Sequence, residues 1–156
     1  MNILLIGAVT ALTIYFVGLG RTGAAAKDLI TTFKKAQIYK FVDGGSMTVR
    51  MFVDFVNLHN AAITITKAYL KCQLDGITIG VCDVENVVIQ PGTNNKYFDL
   101  VMPWGNLGVA AAIKVGQWFS TGTLTPPQAC TITGELKCKG FIINVNKTIP
   151  FSTTAN

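Results

Sequence analysis

The sequence predicts a mainly β chain: an antiparallel β-sandwich of seven or eight strands behind an N-terminal transmembrane helix. Three observations carry this expectation. Ile3 to Gly20 is an uncharged run of 18 residues, the length at which a helix begins to span a bilayer's hydrocarbon core. From Met47 onward the apolar residues recur with period two, the pattern of half-buried strands. Turn signals, foremost Asp75-Gly76, then punctuate the chain at the spacing of an all-β domain.

In the first segment Ile3, Leu4, Leu5, Ile6, Val9, Leu12, Ile14, Tyr15, Phe16, Val17 and Leu19 are the expected membrane-anchor residues, over 1–21. Ala24 and Ala26 supply an A-x-A, but no Lys or Arg precedes the apolar run, so an anchor that is retained is expected over a cleaved signal peptide. Arg21, Lys27, Lys34 and Lys35 follow as basic residues for a membrane surface. Residues 22–45 read as an amphipathic basic stalk helix and linker, because Leu29, Ile30, Phe33 and Ala36 fall at helical spacing. That helix is expected to end before Asp43-Gly44-Gly45-Ser46, with Gln37 to Val42 already open to an extended reading.

Residues 46–156 form the expected β-domain. Val49, Met51, Val53 and Phe55 make one apolar row, and Asn57 to Asn60 a corner. Ile63, Ile65, Ala68, Leu70, Cys72 and Leu74 form a second strand, whose parity flips near Lys67 as at a β-bulge. Asp75-Gly76 implies a type I′ hairpin pairing Leu74 with Ile77. Further short strands are expected at 86–90, 96–102, 107–119, 131–139 and 141–149, with no long helix after residue 45.

Asn57 with Asn60, the run Leu74-Asp75-Gly76-Ile77-Thr78-Ile79-Gly80, Val88-Ile89-Gln90-Pro91-Gly92 and the alternating Phe98-Leu100-Met102 together resemble the type-2 late embryogenesis abundant, or water-stress-and-hypersensitive-response, domain over about 47–150. Asn57 is followed here by Leu-His-Asn, where that family often has Asn-Pro. The resemblance implies an immunoglobulin-like or fibronectin-like sandwich, commonly tethered near a membrane, with no catalytic residues to transfer.

The residues able to carry chemistry do not converge in the sequence. His59 is the one histidine and lies in a corner, and the acids are scattered, with Asp83 and Glu85 two apart. Cys72, Cys82, Cys130 and Cys138 lack C-x-x-C spacing, which argues against zinc. An ideal hairpin would put Cys72 and Cys82 on opposite faces, while Cys72 with Cys130 or Cys138 stays open as a pair. Buried free thiols are the default. Gly18-Leu19-Gly20 and Gly44-Gly45 lack a phosphate loop's setting, and Trp104, Trp118, Phe98 and Phe119 read as core and rim.

The net charge is +5, but residues 1–45 hold five cations against two acids and the remainder eight against six. More than half of the surplus therefore lies beside the expected membrane, and nucleic acid is not an expected partner. Mean hydropathy of +0.44 excludes disorder as the main state. No catalytic residue, cofactor, metal or small-molecule substrate is expected. The reading is a non-catalytic, single-pass membrane-anchored structural subunit of an ordered assembly such as a lipid-containing virion with an internal membrane, its partners a bilayer and other protein subunits. The small-residue tract Gly105 to Gly116 fits a close approach by a neighbour. The alternatives are a membrane-tethered stress-protective or lipid-binding domain and a pilin-like filament subunit.

Overall fold

The computed structural model describes residues 15–18, 28–41 and 45–153. Eight strands follow in order: β1 (Tyr15–Gly18), β2 (Leu29–Phe41), β3 (Ser46–Asn57), β4 (Ile63–Leu74), β5 (Ile77–Ile89), β6 (Gly92–Pro103), β7 (Ala129–Cys138) and β8 (Phe141–Ser152). A 3-10 turn (Trp104–Asn106) and one helix, α1 (Val109–Phe119), separate β6 from β7.

The strands form one sheet in the order β1-β8-β2-β3-β6-β5-β4-β7, and β7 also pairs with β8. The path from β2 to β8 therefore returns on itself, making a seven-stranded barrel with β1 added beside β8. This corrects the expected sandwich. Two junctions are thin. β5 pairs with β6 only at Val81–Val101, and β2 meets β8 in parallel only at Ala36–Phe151 and Gln37–Ser152. Gly80 lies where β5 turns onto β6, with Leu100 so close that a Cβ would fall 2.7 Å from its side chain.

The predicted membrane helix is also corrected. Tyr15 to Gly18, inside the apolar run, is strand β1, antiparallel to Phe141–Asn144 of β8. An apolar run rich in aromatic and β-branched residues fits a buried strand as well as a helix. No helix among the described residues is long and apolar enough to cross a membrane, which overturns the single-pass reading. Ile3, Leu4, Leu5, Ile6, Val9, Leu12, Ile14, Leu19, Arg21 and Lys27 lie outside the described residues.

The expected stalk helix is strand β2, built into the barrel wall. Its register against β3 slips between Phe33 and Lys35 and again between Ile38 and Lys40. Each slip adds one residue, so the inward spacing of two becomes three from Phe33 to Ala36 and imitates a helical face. The opposite error occurs at 107–119, expected to be extended but forming α1. Its alanine triplet favours helix, and Val115 and Trp118, three apart, are the residues it buries.

Other expectations meet the structure directly. Leu74 pairs with Ile77 across Asp75 and Gly76, whose φ values of 49° and 78° are those of a type I′ turn. The register of β4 against β7 shifts between Ile65 and Lys67, where the parity flips. The segment 86–90 is the end of β5 and not a separate strand.

Inward residues of all seven strands share one core, including Leu29, Met51, Phe55, Leu70, Leu100, Ile132 and Leu136. α1 lies across the barrel end where β2, β6 and β8 finish. Phe119 contacts Phe41 and Phe151 there, and Phe41 meets Trp104 edge-on at 5.1 Å.

Substitutions at Gly134 and at Thr31 test this packing, with Gly105→Ala as the control. A Cβ at Gly134 would stand 2.0 Å from the Tyr69 carbonyl oxygen, and its φ of 141° disfavours other residues. Gly134→Ala is expected to cost about 3 kcal/mol by overpacking and backbone strain, whereas Gly105→Ala, which meets nothing within 4 Å, should stay near the native value. Thr31 is buried and its Oγ1 has no hydrogen-bond partner among the described residues. Thr31→Val is expected to raise stability by about 1 kcal/mol. Guanidinium unfolding midpoints check both.

Candidate functional site

The surfaces that offer chemistry lie on the outside of the barrel. On the wall formed by β2, β3 and β6, Lys35, Phe52 and Tyr97 share one register row, and Gln37, Arg50 and Asp99 the next. Alternation sends Met51, Val49, Phe98 and Leu100 into the core and leaves Arg50, Phe52, Tyr97 and Asp99 on the outer side.

Arg50 is the centre of this wall. Its Nε donates to Asp99 Oδ1 at 2.7 Å and its Nη2 to Oδ2 at 2.9 Å, a bidentate pair. The guanidinium carbon lies 3.5 Å from the Tyr39 ring centroid and 3.9 Å from that of Tyr97, so it is held between two rings. The hydrogen bond to Asp99 raises the arginine's pKa further above its ordinary value. Tyr39 reaches this position because it is the extra residue at the second β2 bulge. Lys35 Nζ stands 5.3 Å from the centre of the Phe52 ring.

Lys34 and Lys35, expected on a basic helix, thus lie on the outer face of a strand. Lys34 pairs with Asp54 at 3.1 Å. Sequence reasoning missed the Tyr39, Arg50, Tyr97 and Asp99 cluster, and only the strand register brings those residues together.

The second surface is the outer side of α1. Val109 is 80% exposed and Ile113, one turn on, 58%. The helix's sole charged residue, Lys114, is tied to Asp75 of the β4–β5 turn. The outer face of α1 therefore presents apolar side chains without charge, flanked by Ala112 and Gly116.

The remaining candidates have structural uses. Asn57 is buried; its Nδ2 donates to the Ala61 and Ile89 carbonyl oxygens, and its Oδ1 accepts from the His59 amide. His59 Nδ1 accepts from the Ala61 amide, so it belongs to the same corner. Asp83 pairs with Lys67 at 3.3 Å. No group of three or more His, Cys, Asp and Glu that could hold a metal ion occurs among the described residues.

All four cysteines are buried free thiols. A bulge at the β4–β5 hairpin places Cys72 opposite Gly80 and Cys82 opposite Leu70, so both point inward, correcting the ideal-hairpin expectation of opposite faces. Cys72 and Cys130 are diagonal neighbours on β4 and β7, and the hydrogen bond between them, with burial, holds the Cys72 thiol well above the ordinary range. Burial pushes Cys82 up to about 11 and Cys138 up to about 12.

No family model and no curated protein matches the chain. Among solved structures it is similar to a protein from Archaeoglobus fulgidus at TM-score 0.46 and 10% identity, with 82% of this chain and 97% of that one covered. It is similar to the same degree, TM-score 0.46 and 10% identity, to a Northeast Structural Genomics Consortium target, with 85% and 92% covered.

The thiols make a pH prediction. With folded pKa values raised, their stabilising contribution is full below about pH 9, where unfolded thiols are still protonated, and is lost as pH rises through 11 to 12. Under reducing conditions unfolding free energy is expected to fall with pH across that window. Cys82→Ala should flatten the fall by about 2–3 kcal/mol at pH 11, read from denaturant curves at successive pH values.

Proposed function

We propose that this protein is a non-catalytic structural subunit of an ordered assembly, such as a virion shell, whose copies meet through α1. The observation that carries the reading is the apolar ridge of α1, where Val109 and Ile113 stand in solvent one turn apart and the one charged residue of the helix, Lys114, is paired with Asp75. Large apolar side chains placed together on an exposed element mark contact surfaces.

Interface size favours an assembly over an isolated dimer. An 11-residue helix is only about 16 Å long, so one face of it covers far less than the roughly 800 Å² per partner typical of a specific complex. A contact that small becomes durable when each subunit makes several at once. The occupant proposed for this face is therefore another copy of the chain. Ala112 and Gly116 leave room beside the Val109–Ile113 ridge for a neighbouring backbone.

The reading is tested by light scattering and sedimentation of the natively extracted full chain beside Ile113→Glu and Val109→Lys variants. Wild-type protein is expected in large or symmetric species, and either variant in markedly smaller ones with unchanged unfolding midpoints. A wild-type chain that is monomeric at every concentration, or variants that assemble as wild type does, would overturn it.

A further inference from the structure

We infer that the β2-β3-β6 wall is a binding surface for single-stranded nucleic acid, with Tyr39 and Tyr97 as the stacking platform and Lys35 and Lys40 as the phosphate contacts. The two tyrosines flank one guanidinium. Each packs one ring face on the Arg50 guanidinium, at 3.5 and 3.9 Å, and each remains about half exposed, Tyr39 at 47% and Tyr97 at 55%. The outer face of each ring is thus open, and the arginine that braces both is itself fixed by two hydrogen bonds to Asp99. Bases stack on such rings whatever their sequence, because every base has a π-face.

Charge selects the partner. On this wall Arg50 is matched by Asp99 and Lys34 by Asp54. Lys35 and Lys40, at outer positions of β2 opposite Phe52 and Thr48, make no ion pair among the described residues. Among the described residues these two cations thus have no acidic partner, and they lie along one strand roughly 15 Å apart. A polyanion whose backbone follows β2 would meet both lysines while its bases reach Tyr39 and Tyr97. An anionic bilayer would use the same lysines but offers no flat group to stack on rings that lie against a guanidinium. Aromatic platforms flanked by cations on a sheet surface are the shared device of single-strand binders.

The wall and α1 are separate surfaces, since α1 covers a barrel end and the wall runs along its side. The inference therefore stands or falls independently of assembly through α1.

The test is fluorescence anisotropy of a labelled oligo(dT) strand titrated with the full-length protein at low salt. A duplex of equal length and vesicles containing an anionic phospholipid are run beside it. Binding is expected to favour the single strand, with log K falling against log salt at a slope of about −1 to −2 for two phosphate contacts. Tyr97→Leu, which keeps bulk but removes the ring, should weaken binding about tenfold, and Tyr97→Phe should retain it. Lys35→Gln combined with Lys40→Gln should bring the slope toward zero. The inference is overturned by no salt-dependent binding, by equal binding of the Leu and Phe variants, or by vesicle binding that exceeds strand binding and ignores Tyr97→Leu.

Discussion

Closure of the sheet is the constraint on which the rest of the structure depends, and it passes through two narrow junctions. Between them lie two well-paired sub-sheets, β2-β3-β6 and β5-β4-β7-β8. Three register pairs in all join these sub-sheets, and a hydrogen bond contributes only about 1 kcal/mol net. Each fully buried Leu, Ile or Phe contributes about 1.5–3 kcal/mol, and a dozen large side chains in the shared interior are essentially inaccessible. Burial across the junctions, more than pairing along them, therefore keeps the barrel shut. Gly80 against Leu100 at one junction and Ala36 beside Phe151 at the other are small residues at the points of closest approach.

The same junctions explain what the sequence could and could not convey. Period-two runs in 46–74 and 129–152 identify strands because one face of each is in the core. Asp75-Gly76 fixes a hairpin because its turn chemistry is local. Bulges are different: an added residue at Lys34, Tyr39 or Ile79 changes parity without any distinctive residue type. In β2 that change imitated a helical stripe, and at the β4–β5 hairpin it reversed the predicted facing of Cys82. Whether two sub-sheets face each other or join at their edges depends on pairs such as Ala36–Phe151, more than a hundred positions apart, for which no local pattern exists.

The outer wall was illegible for a related reason. Tyr39, Arg50, Tyr97 and Asp99 come from three strands, and each alone reads as an ordinary exposed residue. Their meeting requires the β2–β3 and β3–β6 registers and the bulge that frees Tyr39. The charge count separated cations from aromatics along the chain, whereas the registers interleave them. The tract 105–116 was not legible as a helix, because a short apolar segment with few charges fits either period.

A seven-stranded barrel has an interior narrow enough for its own side chains to fill, so this fold directs recognition outward. Its outside is chemically divided. The end covered by α1 holds Val109 and Ile113 in solvent and has its one helical charge, Lys114, matched by Asp75, which suits a neighbour that also seeks to leave water. The β2-β3-β6 wall keeps its charges matched around Arg50 and Asp54 but leaves two lysines beside open rings, which suits an anion with flat groups. One partner would have to satisfy both chemistries at surfaces that face different directions. Two partners, one for the end and one for the side, would satisfy each without compromise, and contacts between copies through the barrel end would leave the wall accessible.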